Sequence, residues 1–552
     1  MRKMRLKHYL FLLLLMSVLP VTAQPKYEVR AVWLTTLGGL DWPRSYAHDG
    51  MGITAQQEAF VRMLDQLQAI NVNTILFQTR VRATTVYPSR YEPWEGSLSG
   101  QPGKSPGYDV LQFAIDECHR RGMEIHAWVC TIPIGKLKSY GYKEMRRRHP
   151  ALVMKIGEEG YMNPDKPQTA DYLADICEEI VKGYDVDGIH LDYIRYPETW
   201  RGRMQASNIT RIVRTIHQRV KQQKPWVKLS CSPVGKSGDL SRYSSRGWNA
   251  TRRVAQDAQQ WLCDGLMDQL YPMQYFAGNN FMPFAIDWQE QSCGRTIVSG
   301  LGTYMLSPAE RDWPLEELQR QLSVTRSIGI GHCHFRAKFL LDDIKGIYDY
   351  MRHFDAHPAL IPPATWLHAI APTAPTRLVV NRQPSGDELL WGGAQDRSGA
   401  PYLLYNVYAS KDGPVDIRRA DQLMVTRLQD TRLVVPMTGW HYAVTAVDRY
   451  GNESPAASYS PSGYQSQPHA KRQAAHLLEN DGHYLLIPDR NRFDARLVTV
   501  HDLQGRRVLS AFNEPFILID RLPEGMYELR SLSKKGVQHR LGHFIVRRTW
   551  RK

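Results

Sequence analysis

The chain has 552 residues, more than one hydrophobic core usually supports, so about two to four domains are expected. Its composition, 43% hydrophobic and 10% aromatic, is that of an ordinary folded protein. The net charge of +15 suits polyanionic surroundings, but no Lys/Arg-rich run, zinc-finger spacing or RNA-binding signature accompanies it, so nucleic acid is not expected as a partner.

The chain opens with a basic stretch (Arg2, Lys3, Arg5, Lys7), an apolar run over residues 9–19 and the small-residue ending Val21-Thr22-Ala23. Residues 1–23 thus have the layout of a cleavable export signal. The apolar run is about half of the ~20 residues that span a bilayer. No cysteine follows to carry a lipid. Export to the periplasm, cell surface or medium is the expectation.

From residue 27 to 362, short apolar strands alternate with stretches of helical periodicity. Strands are predicted at 29–36, 74–80, 124–130, 188–195, 227–233, 269–275, 296–304 and 331–338. Eight βα units in this length imply an α/β fold, a (β/α)8 TIM barrel with insertions. A doubly wound sheet is disfavoured, because no Gly-rich phosphate loop follows the first strand. Helices are predicted over 54–69, capped by Thr54, and over 167–184. Residues 88–108 and 135–163 read as long βα loops, which in this fold build the active-site mouth. Seven dispersed cysteines do not make a disulfide framework and are expected as small buried side chains.

Residues 363–375 are Pro/Ala-rich and read as a linker. Strand-like runs follow over 376–462 and end in Tyr442-Ala-Val-Thr-Ala-Val-Asp-Arg-Tyr-Gly-Asn-Glu-Ser454. This resembles a fibronectin type III sandwich, with a spacing or docking role. Residues 475–547 are again β-rich, with Arg496-Leu-Val-Thr-Val-His-Asp-Leu-Gln-Gly-Arg-Arg-Val508 and Leu522-Pro-Glu-Gly-Met-Tyr527. The pattern resembles the C-terminal sorting domains of the type IX secretion pathway, which implies contact with envelope or secretion machinery. A plain β-sandwich cap is the alternative.

Alternate residues of a barrel strand face the interior. In the fourth strand Ile189 and Leu191 face the helices, which turns His190 and Asp192 inward. The same reasoning turns Gln78 and Arg80 inward in the second strand, His126 and Trp128 in the third, and His332, His334 and Arg336 in the eighth, with Cys333 and Phe335 outward. Each buried unpaired polar group costs about 1–3 kcal/mol, so their convergence at one mouth implies a solvated binding site. Sugars need aromatic faces for their C–H surfaces and planar polar groups for their hydroxyls. Trp33, Trp128, Tyr196 and Tyr275 supply the first, and Arg80, Asn163, Arg195, Gln274 and Arg336 the second.

Glycosidic cleavage ordinarily uses two carboxyl groups. Asp192, at the inward C-terminal end of a strand, is the first choice. Glu198 and Asp165, on loops at the same end, rank next; Asp41 is a further candidate, and Asp268 precedes its strand at the wrong end. No cofactor is expected, and no metal: no HExxH spacing occurs, and His332 with His334 falls two ligands short of a tetrahedral set.

Glu28-Val-Arg-Ala-Val-Trp-Leu34, Asn163-Pro-Asp165, Tyr184-Asp-Val-Asp-Gly-Ile-His-Leu-Asp-Tyr-Ile-Arg-Tyr-Pro197 and Asp268-Gln-Leu-Tyr-Pro-Met-Gln-Tyr275 resemble the glycosyl-hydrolase-like family 10 of bacterial envelope proteins. The resemblance implies a TIM-barrel glycosidase acting on a polysaccharide, with peptidoglycan glycan strands as the foremost substrate. It implies Asp192 as the acidic catalytic residue and Asn163, Arg195 and Tyr275 as site residues. A more distant likeness is to family 18 chitinases, whose fourth strand reads D-G-x-D-x-D-x-E. Here Ile194 stands where that family has its acid.

Overall fold

The computed structural model describes residues 24–243, 247–461 and, further on, 478, 484–486, 495–502, 505–512, 516–519, 522–533 and 538–546. The export signal read in residues 1–23 lies outside the described residues. The chain forms two compact units, one holding residues 28–417 with 422–461, the other most of the C-terminal part.

The first unit contains a closed barrel of β1 (Arg30–Leu34), β2 (Thr74–Arg80), β3 (Glu124–Cys130), β7 (Gly188–Asp192), β8 (Lys228–Cys231), β9 (Gln269–Leu270), β10 (Thr296–Leu301) and β11 (Gly331–His334). Adjacent strands are parallel and β1 pairs with both β2 and β11, so the sheet has no edge. Each predicted strand is present. Several end earlier than expected; β9 keeps two residues because Pro272 has no N–H to give the ladder, and single bridges from Met273 to Val234 and Gly300 continue it.

Ile75, Phe77, Ile125, Ala127, Val129, Ile189 and Leu191 pack outward against helices such as Gly50–Ala69 and Pro167–Gly183. A second cluster fills the interior: Ala31, Trp33, Leu76, Trp128, Tyr271, Val298 and Cys333, with Phe335 against it. The eighth strand is therefore turned the opposite way from the expectation. Cys333 pairs with Ala31 and Gly300, both interior positions, so His332 and His334 face the surrounding helices. The expected parity assumed a polar mouth, whereas the barrel lining here is largely aromatic.

Helix Gly50–Ala69 starts four residues before the predicted position. The Asp49 carboxylate caps it by accepting from the Gly52 N–H, and Thr54 sits inside, bonded to Gly50 O. The segment expected as a loop after the third strand is a small subdomain. It has three antiparallel strands, β4 (Pro133–Lys136), β5 (Val153–Ile156) and β6 (Glu159–Met162), and a helix, Tyr140–Arg148. Cys263 and Cys293 form a disulfide across 30 residues of sequence, which their dispersed spacing did not reveal; Cys118, Cys130, Cys177, Cys231 and Cys333 are buried and free.

Seven further strands make two antiparallel sheets over one core. The first holds β12 (Thr376–Gln383), β13 (Gly386–Gly392) and β16 (Arg432–Val435); the second holds β14 (Leu404–Ser410), β15 (Leu423–Leu428), β17 (His441–Val447) and β18 (Ala457–Tyr459). Leu389, Trp391, Val407, Tyr442 and Val444 lie between them. This sandwich closes the N-terminal end of the barrel. Arg427 reaches Glu124 at 3.0 Å and Asp187 at 2.6 Å, and Arg449 reaches Asp185 at 2.8 Å. A Cβ at Gly122 would stand 2.2 Å from Thr426 O, so only glycine permits this approach. The expected linker is held on both sides, Ala364 N to Tyr450 O and Trp366 Nε1 to Asp268 Oδ1.

The second unit has its own core, with Leu485, Val500, Leu529 and Phe544. Its larger sheet runs β21 (Arg507–Phe512), β20 (Ala495–Asp502), β23 (Gly525–Ser533), β24 (Gln538–Val546), and β19 (Tyr484–Leu486) pairs with β22 (Phe516–Leu518). Among the described residues no helix is long and apolar enough to cross a membrane.

Candidate active site

The alternation of β7 sets the centre. His190 accepts from the Trp33 indole N–H at Nε2 (3.2 Å), so its proton sits on Nδ1, 2.9 Å from Ser230 Oγ. Burial, with His126 nearby, keeps this imidazole well below its ordinary pKa and therefore neutral. His190 fixes the Trp33 ring, and Gly300 leaves room for it, since a Cβ there would meet the indole at 2.9 Å.

One turn of the pleat higher, Asp192 ends the strand at the C-terminal mouth. Its carboxylate is buried and accepts from Ser232 Oγ (2.7 Å), the Tyr193 N–H (2.8 Å) and Trp128 Nε1 (3.1 Å). Burial raises its pKa; these donors and the charge of Arg195 oppose the rise without cancelling it. The wall beside it is aromatic: Phe335 stands 5.8 Å from Trp33 and 5.6 Å from Tyr275, and Tyr275 is 5.6 Å from Tyr304. Tyr275 Oη and Arg195 Nε and Nη1 are buried donors with no protein partner. Arg195 lies over the Tyr193 ring at 4.5 Å, and its Nη2 pairs with Glu198 at 2.6 Å. Glu198 itself is at the rim, 44% exposed.

The structure brings Trp33, Trp128, His190, Asp192, Arg195, Glu198 and Tyr275 together. Gln78 is close by but engaged, its carbonyl accepting from Thr35 Oγ1 and the Thr36 and Leu37 N–H groups, which ties the first βα loop to β2. Arg80 is a correction. A bulge between Gln78 and Arg80 resets the parity, so Arg80 pairs with Val129, an outward position, and forms a buried ion pair with Glu92 at 2.6 Å. His126 is inward but a layer deeper, 3.2 Å from Glu124 in the charge cluster with Lys228.

Other expected site residues serve the scaffold. Asn163 Oδ1 accepts from the Asp165 N–H, and Asp165 in turn accepts from Tyr196 Oη (2.5 Å) and Asn208 (2.9 Å). Tyr196 is fully buried against Trp200, so these three pin two loops from outside the barrel. Gln274 bonds Ser299 Oγ, which the register places on the outer face, and His334 bonds Thr303 Oγ1. Arg336 pairs with Asp41, which also accepts from the Thr35 and Lys338 N–H groups; that carboxylate is thereby occupied. Asp268 lies at the far end with Lys221 and Trp366.

Neither Ser232 nor Phe335 stood out in the sequence as a site residue. Ser232 shares the inward parity of the fifth strand, a signal that was present; Phe335 was lost with the misassigned eighth strand. Glu28, His332 and Asp355 cluster outside β11 as metal-type ligands. Arg30 and Arg326 pair with both carboxylates there and, against burial, hold them below the usual range, which suits an ion-pair network rather than a cation.

A closed parallel barrel with a buried carboxylate at its C-terminal mouth defines a TIM-barrel protein with an acid-bearing aromatic site. The sequence pattern of the family described as Glycosyl hydrolase-like 10 matches residues 28–204, which include Asp192 and Arg195. The chain is 28% identical over 484 residues to Glycosyl hydrolase YngK of Bacillus subtilis (strain 168), covering 79% of this chain and 93% of that one. It is 27% identical over 359 residues to Glycosyl hydrolase DigH of Escherichia coli (strain K12), covering 56% and 82%. Among solved structures, the PgaB (BpsB) glycoside hydrolase domain from Bordetella bronchiseptica aligns with a TM-score of 0.41 at 12% identity, over 59% of this chain and 99% of that one.

Proposed function

We propose that the protein is an exported glycoside hydrolase that cleaves an amino-sugar polysaccharide, the glycan strands of peptidoglycan. The observation that carries this reading is Asp192: buried, raised in pKa by that burial, and set beneath an aromatic wall with the unpartnered donors Tyr275 Oη and Arg195 Nε and Nη1. A carboxyl whose pKa is raised by burial is suited to giving its proton to a leaving glycosidic oxygen. Glu198, on the same loop, is the second carboxyl and activates water once substrate draws Arg195 away. The named relatives are consistent with glycoside hydrolysis. The sandwich is read as fibronectin type III-like, supported by its three- and four-stranded sheets and by Tyr442, bonded to Asp387 and Met437 O. The C-terminal unit is read as a sorting domain, supported by the turn that Asp502 closes on Gly505 and Arg506.

The test is release of reducing ends from peptide-free glycan strands. Asp192→Asn lowers turnover by at least about 10²-fold with an unchanged circular dichroism spectrum, as expected for loss of acid–base catalysis; undiminished turnover refutes the assignment. Glu198→Gln gives a comparable loss if Glu198 is the second carboxyl. A second reading, a polysaccharide-binding protein without cleavage, is favoured by the ion pair that occupies Glu198. Tight binding with no reducing ends across a glycan panel, dietary and host polysaccharides included, would select it.

A further inference from the structure

The subdomain inserted after β3 carries an excess of positive charge, seven Lys and Arg against three Glu over residues 133–162. Lys136, Lys138, Lys143, Arg146, Arg147 and Arg148 fall within thirteen residues that hold one carboxylate, Glu144. They are not a continuous run, since Leu137, Ser139–Tyr142 and Glu144–Met145 separate them. In the fold the interruptions become the buried face of helix Tyr140–Arg148, through Gly141, Tyr142 and Met145, and all six basic side chains are exposed. Glu144 pairs with Arg147 at 2.8 Å and Arg148 at 3.5 Å. Lys136, Lys138, Lys143 and Arg146 have no acidic partner among the described residues. Like charges three and four apart destabilise a helix, and Lys143, Arg146 and Arg147 have that spacing, so a bound polyanion would offset a cost the protein otherwise carries.

The platform packs on the barrel beside the loop after β2. Ile134, Tyr142, Met145 and Met162 anchor it in the core, and a Cβ at Gly141 would stand 2.5 Å from Arg82 O, so the helix rests on the loop after β2. Tyr161 of β6 bonds Thr199 and lies near Glu159, Glu198 and Arg82, while Cys130 lies near Asp192, Arg80, Arg82 and Arg195. Arg82 thus lies between the helix and the Arg195 end of the mouth, in a stretch that also holds Glu159, Glu198 and Asp192. Two exposed tyrosines stand at the ends of this stretch, Tyr140 (42%) on the helix and Tyr193 (38%), with Arg195 over one face, at the mouth.

We propose that this face is a second glycan-binding surface, beyond the bond that is cut, which holds polysaccharide chains bearing carboxylates. The assignment of the ligand as a glycan rests on the hydrolase reading of the Asp192 mouth; the charge preference does not. The full-length Asp192→Asn protein is titrated with peptide-free peptidoglycan strands, with the same strands after amidation of their carboxyls, and with a phosphate-bearing polymer. Binding to the carboxylate strands is expected to be about tenfold tighter than to the amidated ones and to weaken as salt is raised. Replacing Lys136, Lys138, Lys143 and Arg146 together by Gln removes that margin. Equal affinity for the two strand preparations overturns the proposal without any variant, and so does a variant of unchanged melting temperature that keeps the margin. Tighter binding of the phosphate polymer through the same residues overturns the carboxylate assignment. Cleavage without charge-dependent binding removes the platform and leaves the hydrolase; charge-dependent binding with no glycan cleaved does the reverse.

Discussion

Asp192 and Glu198 lie six residues apart in environments that suit them to different work. Asp192 is out of water, and as an acid it is competent only below its raised pKa, so activity is lost as pH rises through that value. Ser232 Oγ and Trp128 Nε1 donate to the charged form and hold the pKa down. Ser232→Ala removes one of these charge-assisted bonds, which moves the alkaline limb of kcat/KM up by about one pH unit. A limb that stays in place or moves down shows that Asp192 is not the group titrating. The residues hardest to read from sequence are of the opposite kind, polar side chains such as Gln274 and Tyr196 whose partners, Ser299 and Asp165, come from distant positions.

At the scale of the element, the bulge in β2 decides the fate of Arg80. Glu92 takes both Nε and Nη2 of the guanidinium, which is wholly buried. Glu92→Gln leaves that charge uncompensated and costs about 3–5 kcal/mol in denaturant unfolding, while the folded fraction keeps its affinity for glycan; a specific loss of affinity would return Arg80 to the site. The disulfide between Cys263 and Cys293 closes a loop of 30 residues, and a reductant lowers stability by about 3–4 kcal/mol in the chain-entropy account. Unchanged melting under reducing conditions would show that the bridge adds nothing. Strand existence was legible because buried parallel strands are short apolar runs between helical periods. Facing was legible in β2, β3 and β7, where apolar residues alternate with polar ones. It failed in β11, where Gly-His-Cys-His offers no apolar majority and the lining is apolar, and past Gln78, because a bulge leaves no mark in composition. Asp192 was legible as the end of a regular strand. Its donor Ser232 comes from the neighbouring strand, forty residues away.

For the molecule as a whole, the sandwich is part of the barrel's structure rather than a passenger. Arg427, at a φ of +56° that non-glycine residues rarely adopt, is held there by Glu124 and Asp187 inside the N-terminal end of the barrel. Burial opposes ionisation of Glu124, yet Lys228 and Arg427 hold its pKa down to about 2, and Arg427, His119 and Arg449 hold Asp187 well below the ordinary aspartate range. A carboxyl depressed in this way contributes stability above its unfolded pKa and loses it as pH falls through the folded one. Barrel and sandwich should therefore unfold together, and the stability that Glu124 contributes should decline as pH falls below the ordinary carboxylate range and be gone by about pH 2. Arg427→Ala leaves Lys228 on Glu124 and Arg449 on Asp187, so the cost is about 3 kcal/mol, at the low end for a broken buried pair. It also lets both carboxyls protonate at higher pH, moving the acid midpoint upward and separating sandwich from barrel in calorimetry. A parent protein that already melts in two separate steps for these two parts would show that the Arg427 contact does not couple them.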